Sequence, residues 1–229
     1  MVKQLIVGLL QTNCYLYSQQ QNGTCVIIDP GADDGTIIHQ IETLRLKPIG
    51  IALTHGHFDH TSAVGKLKAY YQKAGLKLGI AVHRKDAKYL GPKGEAENRK
   101  DIEYLGLYFS EEMFKTFFSP LPDEDIRIKE GDTVFNTDLA VLETPGHTQG
   151  GVCYYSARNH IIFSGDTLFC EGIGRSDIAG GNVNLLIRSI KARLLNLPAE
   201  TKVYPGHGPV TTIGHELKHN PFIRGGGGL

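Results

Sequence analysis

With 229 residues the chain is long enough for one full-sized core, and a single domain over residues 1–229 is expected. Lysine plus arginine and aspartate plus glutamate balance at 24 each, so no net field gathers phosphate backbones or anionic membranes, and neither nucleic acid nor membrane is an expected partner. No charge-free run of roughly 18 apolar residues offers a membrane span, and the apolar start Met1–Leu10 lacks a small-residue cleavage site, so a cytoplasmic protein is expected.

In chain order, apolar alternation predicts strands over Gln4–Leu10, Cys14–Tyr17 and Thr24–Ile28, the last closed by the turn Asp29-Pro30-Gly31. A helix follows, with Asp33 and Asp34 as capping candidates and Ile37, Ile38, Ile41 and Leu44 recurring at the helical period. Ile49–Thr54 reads as a strand that stops where histidines begin; a helix then runs from Thr61 to Tyr71, with Val64, Leu67 and Tyr71 on one face, and Leu78–Val82 is the next strand. Residues 92–125 change character, mixing charges with Tyr104, Tyr108, Phe109, Phe114, Phe117 and Phe118. A helical excursion whose aromatics complete the core is the first reading, and a lid or substrate wall the second. The second half repeats the plan: strands near Asp125–Lys129, Thr133–Phe135, Leu139–Leu142, Gly151–Tyr155 and His160–Phe163, a helix over Asn182–Asn196, and a strand over Thr201–Tyr204. Strand runs followed by helices, twice over, predict an α+β fold of two packed sheets with helices outside. The glycine run at 225–228 reads as part of a flexible tail, 225–229.

The densest chemistry lies in Thr54-His55-Gly56-His57-Phe58-Asp59-His60, three imidazoles and a carboxylate straight after an apolar strand. Nitrogen and oxygen donors in this density fit zinc, iron or manganese better than a soft thiolate site would. One such histidine is usually a satisfied core residue; four donors in one loop are not so easily dismissed. In an unbroken strand His55, His57 and Asp59 would share a face, so a turn is needed to divide the donors, and Gly56 makes one easy. Three later segments repeat the theme at strand ends: Thr144-Pro145-Gly146-His147, Phe163-Ser164-Gly165-Asp166 and Tyr204-Pro205-Gly206-His207. The carboxylate of Asp166 has two oxygens, enough to bridge two cations. The thiols Cys14, Cys25, Cys153 and Cys170 form no C-x-x-C pair and read as core packing, with Cys170 closest to the proposed site. His39, His83, His160, His215 and His219 lack any motif context.

T-H-G-H-F-D-H, P-G-H, S-G-D and P-G-H, in this order, resemble the metallo-β-lactamase superfamily. Asn13-Cys14-Tyr15, Asp29-Pro30-Gly31, Gly174-Arg175-Ser176-Asp177, Glu216 and Asn220-Pro221-Phe222 extend the likeness toward single-domain glyoxalase II, the hydroxyacylglutathione hydrolases. The resemblance implies a four-layer αββα sandwich with two divalent metal ions at one edge, zinc the first expectation and iron or manganese the alternatives. It implies that His55, His57 and His147 bind one ion, that Asp59, His60 and His207 bind the other, and that Asp166 bridges them. Asp29 would brace the ligand loop from behind, or simply form a turn before Pro30. Arg175 would hold a substrate carboxylate, or pair with Asp177.

Two cations about 3.5 to 4 Å apart bring a shared water to a pKa of about 7, which supplies hydroxide as nucleophile, with Asp59 and Asp166 as its catalytic neighbours. A thioester suits such a site because its thiol, with a pKa of about 8.5, leaves as thiolate without a strong acid. The expected activity is therefore hydrolysis of S-lactoylglutathione or similar small acyl thioesters. The rivals are a persulfide dioxygenase with one iron on His55, His147 and Asp166, and a lactone or ester hydrolase of the same fold. Two-domain glyoxalase II grips glutathione largely through a helical C-terminal domain; this sequence stops at Leu229, which bears on glutathione preference.

Overall fold

Strand alternation buries both faces of two sheets, and this sets the architecture. A computed structural model describes residues 1–19, 23–104, 110, 112, 114 and 121–224. The first sheet holds β1 (Val2–Val7), β2 (Thr12–Tyr17), β3 (Thr24–Ile28), β4 (Lys47–Ala52), β5 (Gly79–His83) and β6 (Ile126–Ile128), neighbours in that order. β1 to β3 are antiparallel and β3 to β6 parallel. Parallel neighbours need crossovers. These are α1 (Asp34–Thr43), then α2 (Phe58–Thr61) with α3 (Val64–Lys73), then the connection carrying α4 (Gly94–Tyr104).

The second sheet is built from β7 (Ala140–Glu143), β8 (Val152–Ser156), β9 (Ile161–Gly165), β12 (Lys202–Pro205) and β13 (Thr211–Thr212), ordered β13-β12-β9-β8-β7. A short hairpin, β10 (Leu168–Phe169) with β11 (Gly172–Ile173), follows β9. Helix α5 (Val183–Ser189) runs on into a π-helical turn at Ile190–Leu194, and α6 (Ile213–His219) and α7 (Pro221–Arg224) close the described chain.

Three apolar clusters turn these pieces into layers. Val26, Ile28, Tyr15 and Ala52 face Val141, Val152, Tyr154 and Phe163 between the sheets. Their neighbours Cys25, Ile27 and Ile51 point outward onto Ile37, Ile41, Val64 and Leu67 of α1 and α3. On the far side Cys153, Ile162 and Val203 pack on Leu186, Ile190 and Ile213. The result is the α+β, αββα sandwich expected from the sequence. Each fully buried large side chain contributes about 1.5 to 3 kcal/mol relative to exposure. Among the described residues no helix is long and apolar enough to cross a membrane.

Several boundaries depart from the sequence reading for identifiable reasons. β1 stops at Val7 because Gly8 and Gln11, at φ +68° and +54°, turn the chain into a hairpin. Asp33 precedes α1 in left-handed geometry without capping it; its carboxylate accepts the Gly8 N–H instead, at 2.9 Å. The helix expected from Thr61 begins only at Val64, because the Ala63 N–H turns to the Pro30 carbonyl at 3.0 Å. Residues Thr133–Phe135 form no strand, only an isolated bridge from Thr133 to Ala140. Phe135 and Asn136 both have φ above +50°, and the Phe135 ring fills the space beside Gly50. Within the excursion, Phe114 is buried under the Arg99 guanidinium while Tyr104 is exposed. Tyr108, Phe109, Phe117, Phe118 and the tail 225–229 lie outside the described residues.

Candidate metal centre

β4 ends at Ala52, and the chain crosses the mouth of the sandwich as Leu53-Thr54-His55-Gly56-His57 before curling into α2. His57 has extended backbone and α2 begins at the next residue. That switch divides the donors, with His55 and His57 on one side and Asp59 and His60 on the other. Gly56 is required for room rather than for an unusual φ: a Cβ there would lie 2.2 Å from the Tyr89 ring. The remaining donors arrive on loops after β7, β9 and β12. β9 and β12 are parallel, and β7 is related to β9 through two antiparallel pairings, so all three strands end at the same edge. Gly206 lets the last loop close in, since a Cβ there would sit 2.2 Å from Asp166 Oδ1 and 2.8 Å from His60 Cε1.

All seven residues expected as ligands meet at this edge. His55, His57 and His147 form one triad of donors, each ligand atom within 4.8 Å of the others, and Asp59, His60 and His207 form a second. Asp166 stands between them, 3.4 Å from His60 Nε2 on one oxygen, and 3.6 Å from His147 Nε2 and 3.7 Å from His207 Nε2 on the other. His57 Nδ1 and His147 Nε2 approach to 2.9 Å.

The two triads differ in charge. Burial, reinforced by neighbouring imidazoles, holds His55 well below the usual histidine range and His57 at about 3, leaving both neutral with lone pairs free. Burial works against the charge of His60 too, but Asp59, Asp166 and Asp29 outweigh it and raise its pKa well above the usual value. His207 is raised in the same way, by Asp59 and Asp166. For Asp59 burial acts upward, yet His60 and His207 hold it at about 2, and Asp166 is likewise depressed by His60, His147 and His55.

His55 Nε2, His60 Nε2 and Asp166 Oδ1 are buried without any hydrogen-bond partner. Buried polar atoms left alone are costly, and three pointing into one polar cluster fit the ligands of a cation. Five imidazoles and two carboxylates are nitrogen and oxygen donors of the kind that bind borderline divalent ions.

Around the cluster, the rings are fixed from behind. Asp29 accepts the Thr54 N–H at 2.8 Å and the Thr54 hydroxyl at 2.6 Å, and lies 3.0 Å from His60 Nδ1, so it ties the loop to His60. Arg175 forms a bidentate pair with Asp177, both contacts at 3.0 Å, while its backbone carbonyl lies 2.6 Å from His147 Nδ1. Asp86 escaped the sequence reading. Fully buried, it accepts from Gly56 N, Thr148 Oγ1 and Gly150 N at 3.1, 2.7 and 2.8 Å, tying together the loops that carry His55, His57 and His147. The only cue was its place just beyond a strand end, shared with the ligands. Cys14, Cys25 and Cys153 are buried thiols, whereas half-buried Cys170 sits beside the 2.9 Å pair of His215 and Glu171 on the surface.

An αββα sandwich with two adjacent donor triads at one edge and a carboxylate between them is the arrangement of a metal-dependent hydrolase. The chain belongs to the Metallo-beta-lactamase superfamily, whose pattern matches residues 7–207. It is 32% identical to the hydroxyacylglutathione hydrolase GloC of Haemophilus influenzae, covering 95% of each chain, which supports the glyoxalase II-like branch. Among solved structures it resembles BLEG-1, a B3 metallo-beta-lactamase, at TM-score 0.81 and 36% identity over 98% of this chain and all of that one. It also resembles TTHA1623 in a di-iron-bound form, at TM-score 0.78 and 34% identity over 96% of this chain and 99% of that one. Membership implies divalent metal at the cluster.

Proposed function

We propose that this protein hydrolyses small acyl thioesters, S-lactoylglutathione among them, at a centre for two divalent metal ions. The observation that carries the reading is the pair of donor triads with Asp166 between them, within 3.4 to 3.7 Å of His60, His147 and His207. His55, His57 and His147 would hold one ion, Asp59, His60 and His207 the other, with Asp166 common to both. Zinc is the first expectation, and the di-iron form of a relative supports iron beside it. Bound there, two ions would lower the pKa of a shared water toward neutrality and polarise a carbonyl.

The chain's own residues do the rest. Asp59 and Asp166, held as carboxylates, present acceptor oxygens that orient the attacking water. The five histidines serve as ligands, so none is left over as a strong acid, and a thioester needs none because its thiol departs as thiolate. Beside Asp59 a cavity of about 570 Å³ opens between the hairpin residues Leu9 and Leu10 and the α2–α3 segment with Phe58, Ala63 and Lys66. Its apolar walls suit an acyl arm, and Lys66 at its rim, 3.4 Å from Asp34, offers charge for a substrate carboxylate; Arg175, outside this cavity, is the other candidate. The GloC relative supports a glutathione thioester.

The test is metal content per chain, measured with hydrolysis of S-lactoylglutathione, a simple acyl thioester, a lactone and a chromogenic β-lactam. Two ions and thioester turnover are expected. One iron per chain with oxygen uptake on a persulfide would replace the reading with a dioxygenase, and turnover confined to the lactone or β-lactam would move the substrate class.

A further inference from the structure

Four of the five clustered histidines turn one ring nitrogen inward and rest the other against an oxygen. The partners of their Nδ1 atoms are Thr54 Oγ1 for His55 at 3.1 Å, Asp29 for His60 at 3.0 Å, the Arg175 carbonyl for His147 at 2.6 Å and the Leu10 carbonyl for His207 at 3.1 Å. His57 is reversed. Its Nδ1 lies inside the cluster beside His147, and its Nε2 points out, buried and without a hydrogen-bond partner. Facing that nitrogen at 3.6 Å is Asp101 Oδ2, also buried and also without a partner.

A donor and an acceptor, each desolvated and each unsatisfied, sit one small rotation from a hydrogen bond. Asp101 comes from α4, in the excursion that the sequence left between core and lid. Tyr89 stands beside both: burial and the nearby Asp101 push its phenol upward, and the ring stands edge-on to His57 at 5.6 Å. The tight fit of Gly56 against the same ring keeps Tyr89, Asp101 and the ligand loop in register.

We propose that Asp101 is the positioning residue of His57. Its carboxylate accepts the Nε2 proton and so fixes the tautomer that leaves Nδ1 unprotonated and aimed at the first triad. Helix α4 thereby belongs to the metal centre and is not merely a cover. This rests on the metal-centre reading above, and a metal-ligating histidine commonly donates its other nitrogen to a carboxylate in this way. The geometry makes Asp101 do for the first triad what Asp29 does for the second.

The test uses the full chain, stripped of metal, as Asp101→Leu and Asp101→Asn. Titration with zinc against a chromophoric chelator is expected to show one of two ions bound about 10- to 100-fold more weakly in Asp101→Leu, the other unchanged. Asp101→Asn, whose amide oxygen still accepts, recovers much of the loss. In the metal-free protein, nitrogen NMR should find the His57 proton on Nε2 in wild type and no longer fixed there in Asp101→Leu. Wild-type affinity at both ions in Asp101→Leu, an equal loss at both, or no recovery in Asp101→Asn overturns the proposal. If the wild-type protein binds no metal pair, the metal-centre reading fails by itself, and the His57 tautomer still decides the role of Asp101.

Discussion

The two triads are built from similar parts and held in different states. In the first, His55 and His57 are buried among other imidazoles and driven neutral. In the second, His60 and His207 stand between Asp59 and Asp166 and are driven toward the charged form. The carboxylates make the difference: where they surround an imidazole, a proton already occupies part of a cation's place. His55 and His57 would therefore meet a metal ion as neutral imidazoles near neutral pH, whereas His60 and His207 would give up protons to bind one.

The difference between the halves should vanish at Asp166, which faces His60 and His207 on one side and His147 on the other. Asp166→Asn should weaken both ions and cut thioester hydrolysis by more than the roughly hundredfold typical of an outer partner, seen in metal titration and kcat/KM together. Loss of one ion alone would show that Asp166 serves a single triad.

Of the five histidines Asp29 touches only His60 directly, so Asp29→Ala should act mainly on one side. Roughly 10- to 100-fold weaker binding of a single ion is expected, with the other retained. Equal loss at both would mean that the support of Thr54, and through it His55, dominates.

Protons separate the two triads as well. Loading the second triad should release protons and weaken as pH falls, while loading the first should change less near neutrality; pH-stat titration separates the two. The folding sign follows from the same shifts. His60 and His207, raised, stabilise the metal-free fold below about pH 6.5, and that contribution is lost as pH rises through their folded values. His55 and His57, depressed, act oppositely: the unfolded chain takes up protons below about pH 6.5 that the folded one refuses, so they destabilise it on acidification. A metal-free His57→Gln variant should accordingly lose less stability in mild acid than wild type, read by thermal melts at a series of pH values.

The smallest effect belongs to Arg175. Its pair with Asp177 is exposed, and such pairs add little. Arg175→Ala should leave Tm unchanged; a rise in KM at constant kcat would give the guanidinium a substrate role, and unchanged kinetics would leave only its backbone carbonyl in use.

Much of the fold and of the donor cluster was legible in the sequence because strand ends and clustered donors coincide. His55, His147, Asp166 and His207 each follow an apolar strand, so alternation located the element and the polar residue after it located the site. What stayed hidden has no local pattern. The Leu10 and Arg175 carbonyls hold His207 and His147 through backbone atoms, which any residue type supplies. Asp86 and Asp101 reach the ligand loop across the tertiary structure, 30 residues beyond Gly56 in the first case, and a lone aspartate in a charged stretch reads as solvent-facing. The fold failed to follow the sequence reading where packing overrode alternation, as at Phe135, which leaves the strand geometry to fill the space beside Gly50.

The most direct measurement is an anomalous-scattering map of crystals of the metal-loaded protein. Two peaks are expected about 3.5 to 4 Å apart, one among His55, His57 and His147, one among Asp59, His60 and His207, with Asp166 reaching both. A single peak, or metal seated away from these seven side chains, would contradict the paired centre.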